Sequence, residues 1–133
     1  MNTPVTPTTP MPTLPPRTGV RLLLYGEGLA LFAAAIALYI WQQGSGLAFI
    51  ALLLAPDLAA LGYFINPRIG SYTYNAVHTL ILPLIGLAFG LTTANPTVTQ
   101  LMLIWLAHIG MDRTVGYGLK YPAAFKLTHL QKV

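Results

Sequence analysis

The chain alternates long apolar runs with short polar breaks. The apolar runs cover residues 22–41, 47–65, 74–91 and 98–115, each 18–20 residues long. A helix rises about 1.5 Å per residue, so each run is close to the roughly 20 residues that cross about 30 Å of hydrocarbon. The breaks are rich in turn formers: Gln42-Gln43-Gly44-Ser45-Gly46, Asn66-Pro67-Arg68-Ile69-Gly70-Ser71 and Thr92-Thr93-Ala94-Asn95-Pro96. Inside a bilayer the backbone must satisfy its own hydrogen bonds, and helices do so within one segment. The pattern therefore predicts an all-α protein, an integral membrane four-helix antiparallel bundle over residues 20–115. Pro56 and Pro83 fall within runs and are expected to kink their helices.

Two tails flank the bundle. Residues 1–18 hold six prolines and six threonines with Arg17 as the sole charge, so 1–19 are expected to be a disordered tail. That stretch lacks the short apolar region close behind a charged start that marks a secretory signal. Residues 116–133 mix Tyr117, Tyr121 and Phe125 with Lys120, Lys126 and Lys132, a composition suited to the membrane interface. This tail is expected either to lie on the headgroups or to fold back over the mouth of the bundle.

Composition strengthens the membrane reading. Of 133 residues 55 % are hydrophobic and 8 % charged, against about 25 % charged in a soluble domain. All seven basic residues, Arg17, Arg21, Arg68, Arg113, Lys120, Lys126 and Lys132, fall on one side of a four-span topology. The positive-inside rule then places both termini in the cytoplasm. The net charge of +4 is spread singly between apolar runs, so the expected partner is the lipid bilayer and not nucleic acid. Four short spans enclose little volume, which makes a homo-oligomer a further expectation. Cysteine is absent, which excludes disulfides, thiolate metal sites and cysteine nucleophiles.

The chemistry lies in the polar residues of the spans. All three acids, Glu27, Asp57 and Asp112, sit in apolar runs, as do His78 and His108. An ionised group at the bilayer centre costs about 2.5–3.5 kcal/mol on insertion scales, so such groups face inward and find partners. Counting from the breaks puts all five in the cytoplasmic half. His108 and Asp112 share a helix face at i,i+4. Two imidazoles and two carboxylates suit a first-row divalent ion, zinc foremost, so Asp57, His78, His108 and Asp112 are the expected ligands. Glu27 is the expected catalytic base acting on an ion-bound water. Tyr74, Asn75, Arg113, Lys120 and His129 are expected around the set, as hydrogen-bonding support or substrate contacts. Trp41, Trp105 and Tyr39 fit interface belts or packing.

Several strings are familiar in combination. Ala55-Pro56-Asp57-Leu58, Tyr74-Asn75-Ala76-Val77-His78-Thr79, Trp105-Leu106-Ala107-His108-Ile109-Gly110-Met111-Asp112-Arg113 and Gly116-Tyr117-Gly118-Leu119-Lys120-Tyr121-Pro122 resemble a bacterial family of small multi-pass membrane proteins, domain of unknown function 4260, over about residues 20–131. That resemblance implies an integral membrane protein and no activity. Pro56-Asp57, His78-Thr79 and Ala107-His108 with Asp112 also resemble the bacterial membrane-bound metal-dependent hydrolases. Leu58-Ala59-Ala60 and Tyr74-Asn75 stand where those enzymes carry further ligands, so the resemblance implies one metal and not two. The leading expectation is a metal-dependent hydrolase of a lipid or phosphoester. A small proton-coupled transporter is the alternative, with a helix-packing scaffold built on Gly26, Gly28, Gly62, Gly86 and Gly90 as the third reading.

Overall fold

The computed structural model describes residues 18–122 and 128–131. Five α-helices run in order: α1 (Thr18–Trp41), α2 (Gly46–Leu52), α3 (Pro67–His78), α4 (Ile81–Thr92) and α5 (Pro96–Thr114). A 3₁₀ segment, Ala55–Phe64, continues from α2, and a 3₁₀ turn covers His129–Gln131. Strands are absent among the described residues, where one antiparallel bridge pairs Lys120 with Thr128. The all-α bundle expected from the sequence is therefore the fold. The proline- and threonine-rich tail lies outside the described residues up to position 17, as do Phe125, Lys126 and Lys132.

Three stretches, Gly19–Trp41, Gly46–Phe64 and Pro67–Thr92, are long and apolar enough to cross a membrane. Helices of this length and apolarity make the chain a membrane protein. The fourth expected span, α5, is less apolar because protein covers it. Leu103, Ile104, Leu106, Ala107, His108, Ile109, Gly110 and Asp112 are all buried on it, and it packs between α1 and α4. By contrast no residue of α2 or the 3₁₀ segment is fully buried; Phe49 packs on the core, while Leu47, Ile50, Leu54, Leu58, Leu61 and Phe64 are exposed and left for lipid.

The second and third spans are each broken, and proline sets where. A proline ring clashes with the carbonyl four residues earlier and offers it no N–H. Pro56 acts on Leu52, the last residue of α2, after which the chain tightens into the 3₁₀ segment. Pro83 acts on Thr79, which leaves the helical region at φ −82°, ψ 148° and ends α3. The expected kinks are thus full breaks displaced four residues upstream. In the last turn of α3 the carbonyl of Val77 accepts a bond from the Trp105 indole N–H at 2.7 Å. Trp105 is therefore an internal strut.

The breaks at Asn66-Pro67 and Asn95-Pro96 begin helices. Asn66 Oδ1 accepts from the Ile69 N–H at 2.8 Å, and Asn95 Oδ1 from the Val98 N–H at 3.1 Å. Each caps a helix whose first residue is proline, where a missing N–H costs nothing. The third span consequently starts at Pro67, seven residues before the expected Tyr74. Gly70, Ser71, Tyr74 and His78 then line its buried face. The Thr73 hydroxyl donates to the Ala59 carbonyl at 2.8 Å and fastens the 3₁₀ segment to α3.

Helices α1 and α5 cross closely because glycine lies on both sides. A Cβ on Gly110 would stand 2.6 Å from the Phe32 nitrogen, and one on Gly28 would stand 2.7 Å from Arg113 Cβ. Above this crossing Ala35, Leu106 and Ala107 form one core cluster, and Tyr39, Leu103 and Ile104 another, both touching Phe49 and Leu87. Tyr39 closes that end with a bond from its hydroxyl to the Ser45 carbonyl at 2.9 Å.

Candidate metal centre

The two breaks and α5 together deliver the expected ligands to one place. Asp57 is the third residue of the 3₁₀ segment, just past Pro56, and His78 is the last residue of α3, just before its break. His108 and Asp112 lie one turn apart on α5. One donor atom from each of the four residues lies within 4.8 Å of all the others. His78 Nε2 stands 2.9 Å from His108 Nε2. The Asp57 Oδ1 atom lies 3.6 Å from each of these nitrogens, and Asp112 Oδ2 lies 3.5 Å and 3.7 Å from them. Donors about 2.0–2.2 Å from a tetrahedral ion stand about 3.3–3.6 Å from one another. These four atoms can therefore hold a metal ion with little movement.

The surroundings orient the donors. His78 Nδ1 lies 2.9 Å from the Tyr74 carbonyl, an acceptor, so Nδ1 carries the proton and Nε2 presents its lone pair to the cluster. The Tyr74 ring stacks on the His78 ring at 3.6 Å, and its hydroxyl donates to Asp112 Oδ2 at 2.9 Å. His108 is wholly buried, and its Nδ1 has no hydrogen-bond partner among the described residues. The polar side of this ring is the Nε2 side, facing the other three donors. His78 is likewise buried, whereas the Asp57 side chain is 48 % exposed and marks the open side.

A cleft of about 270 Å³ opens there, lined by Asp57, Ala60, Tyr74, Asp112, Tyr117 and Lys120. The Lys120 ammonium lies 4.1 Å from the Tyr74 ring centre and 5.3 Å from that of Tyr63. Burial pushes its pKa below the ordinary lysine value, while the negative charges of Asp112 and Asp57 act in the opposite direction. Lys120 owes its place to the tail folding back over the bundle. The Lys120 N–H donates to Asn75 Oδ1 at 2.7 Å, and Asn75 Nδ2 donates to the Lys120 carbonyl at 2.8 Å. His129 does the same service one residue earlier. Its Nδ1 accepts from the Leu119 N–H at 2.9 Å, and its own N–H donates to the Leu119 carbonyl at 3.0 Å.

The remaining expected residues fall elsewhere. Glu27 is exposed on α1 and is not among the four clustered donors; its charge bears on Arg113 of α5. One residue further on, Gly28 takes the face that meets α5. Arg113 is half-buried beside that crossing and lines a seam of about 10 Å³ between tail and bundle. Trp105, expected in an interface belt or in packing, packs inside the bundle, and Tyr117, expected at the membrane interface, lines the cleft. For Trp105 the signal was present, because it precedes His108 by three residues and shares its helix face. Tyr117 gave none, since its position depends on the fold of the tail.

No curated protein and no solved structure matches the chain. A family model does: with a match over residues 21–133, the chain belongs to the family described as a domain of unknown function, DUF4260.

Proposed function

We propose that the chain is a multi-pass protein of the bacterial inner (plasma) membrane with both termini in the cytoplasm, and that Asp57, His78, His108 and Asp112 hold one zinc ion used in hydrolysis. The observation that carries this reading is the convergence of four ligating atoms within 4.8 Å, supplied by segments separated by up to 55 residues of sequence, from Asp57 to Asp112. Two imidazoles and two carboxylates match the borderline character of zinc. Such an ion would supply Lewis acidity and, on taking a water as a further ligand beside the four side chains, would lower the pKa of that water. The chain's own residues then do the rest. The Tyr74 carbonyl holds His78 in the ligating tautomer, the Tyr74 hydroxyl steadies Asp112, and Lys120 sets a positive charge over the cleft. Hydrolysis at this position splits an ester bond, with water giving its hydroxyl to the acid product and its proton to the alcohol.

The same titratable groups are the motive for a proton-coupled transporter, and the sequence beyond them weighs against it. Residues 28–56 and 79–107 contain no Asp, Glu, His, Lys or Arg, so a relay has no stepping stones towards the other face. Metal analysis of detergent-purified protein tests the proposal. Wild type is expected to retain about one zinc per chain and His108→Ala almost none, because a lost ligand leaves three donors and a cavity. Equal and near-zero zinc in both proteins would remove the metal centre.

A further inference from the structure

We propose that the cleft beside Lys120 binds a membrane lipid with an anionic headgroup, which reaches the centre sideways from the bilayer. A second cleft carries the inference. It has a volume of about 440 Å³ and is lined by Asp57, Leu58, Ala60, Leu61, Tyr63 and Phe64. It shares Asp57 and Ala60 with the Lys120 cleft, so the two meet at the open side of the four donors. Their walls differ in chemistry. The Lys120 side is charged and aromatic, whereas the other side is walled by Leu58, Leu61 and Phe64, which are 65 %, 56 % and 88 % exposed. These side chains belong to a stretch of membrane-crossing length in which no residue is buried, so the apolar cleft faces acyl chains.

Charge selects the headgroup. The two carboxylates balance a divalent ion, and the Lys120 ammonium leaves the centre with an excess positive charge. That excess favours an anion. A headgroup lying between Asp57 and Lys120 has its chains directed along Leu58, Leu61 and Phe64. A water-soluble phosphoester would leave that apolar cleft unfilled, and a zwitterionic lipid would bring a second cation against Lys120. The inference rests on the metal centre proposed above, because without the ion the two carboxylates outnumber the Lys120 ammonium.

Native mass spectrometry from mixed micelles tests both at once, because zinc and lipid add separate masses to one spectrum. With dioleoyl phosphatidate and dioleoyl phosphatidylcholine in equal amounts, wild type is expected to retain phosphatidate about tenfold more often, the scale of a desolvated charge contact. Lys120→Gln is expected to bring the two lipids to parity, and Lys120→Arg to restore the preference. Ala60→Trp, which fills the junction of the clefts, is expected to lower retention of both. Parity in wild type, or an unchanged preference in Lys120→Gln, would overturn the lipid site. Displacement of phosphatidate by an equal amount of glycerol phosphate would overturn the role of the apolar cleft. A phosphatidate preference that persists in spectra without the zinc mass would overturn the charge argument, whereas the zinc mass with lipid parity would overturn the lipid site and leave the metal centre standing.

Discussion

Zinc in about thousandfold excess over its dissociation constant is expected to stabilise the wild-type fold by about 4 kcal/mol, and to leave His78→Ala unmoved. The size follows from linkage: an ion that binds the folded chain and not the unfolded one shifts the unfolding equilibrium by its occupancy. His78 is the decisive position because it lies at the joint of the third span. Its Nε2 supplies one donor, its Nδ1 is tied to the Tyr74 carbonyl, and its ring stacks on Tyr74. Alanine removes all three and leaves Asp57, His108 and Asp112 without the donor opposite them. His129→Ala is the matched control, since His129 bonds the Leu119 N–H and is not one of the four donors. Thermal melting in detergent with and without zinc measures the effect. Wild type and His129→Ala should rise with zinc, and His78→Ala should not. A zinc response that survives in His78→Ala would place the ion elsewhere.

Gly110→Val is expected to destabilise the bundle by about 3 kcal/mol or more, whether zinc is present or not. The new Cβ would meet the Phe32 nitrogen at 2.6 Å and the Gly28 carbonyl oxygen at 3.0 Å. Both are backbone atoms, so no side chain can turn aside and α1 must move as a body. That movement opens the packing of Ala35 against Leu106 and Ala107. In lipid such packing is the main force holding helices together, because tails outside are as apolar as side chains inside. Gly26→Ala is the control on α1: nothing lies within 4 Å of its added Cβ, so it should be neutral or slightly stabilising. The midpoint of thermal unfolding read by circular dichroism separates the two variants.

Much of this architecture is legible in the sequence, and its failures have physical causes. Depth in the membrane can be counted at 1.5 Å per residue, and that count brought Asp57, His78, His108 and Asp112 to one level. Azimuth cannot be counted in the same way across helices whose crossings are unknown. Glu27 shares the level yet sits one residue, about 100° of turn, away from the Gly28 face that meets α5. The prolines predict kinks but not their full extent, because ring and carbonyl clash four residues upstream and break the helices at Leu52 and Thr79. Asn66-Pro67 and Asn95-Pro96 were read as breakers, although asparagine before proline is also a cap followed by a first helical residue. Lys120 and His129 are expected around the ligands from the sequence, but the pairs that seat them, such as Asn75 with Lys120, carry no periodic signal.

X-ray absorption at the zinc edge on detergent-purified wild-type protein tests the central assignment most directly. A mixed shell of two imidazole nitrogens and two carboxylate oxygens at about 2.0–2.2 Å, with the outer-ring scattering of two histidines, is the predicted spectrum. A shell of oxygens alone, or protein that holds no zinc to measure, would contradict it.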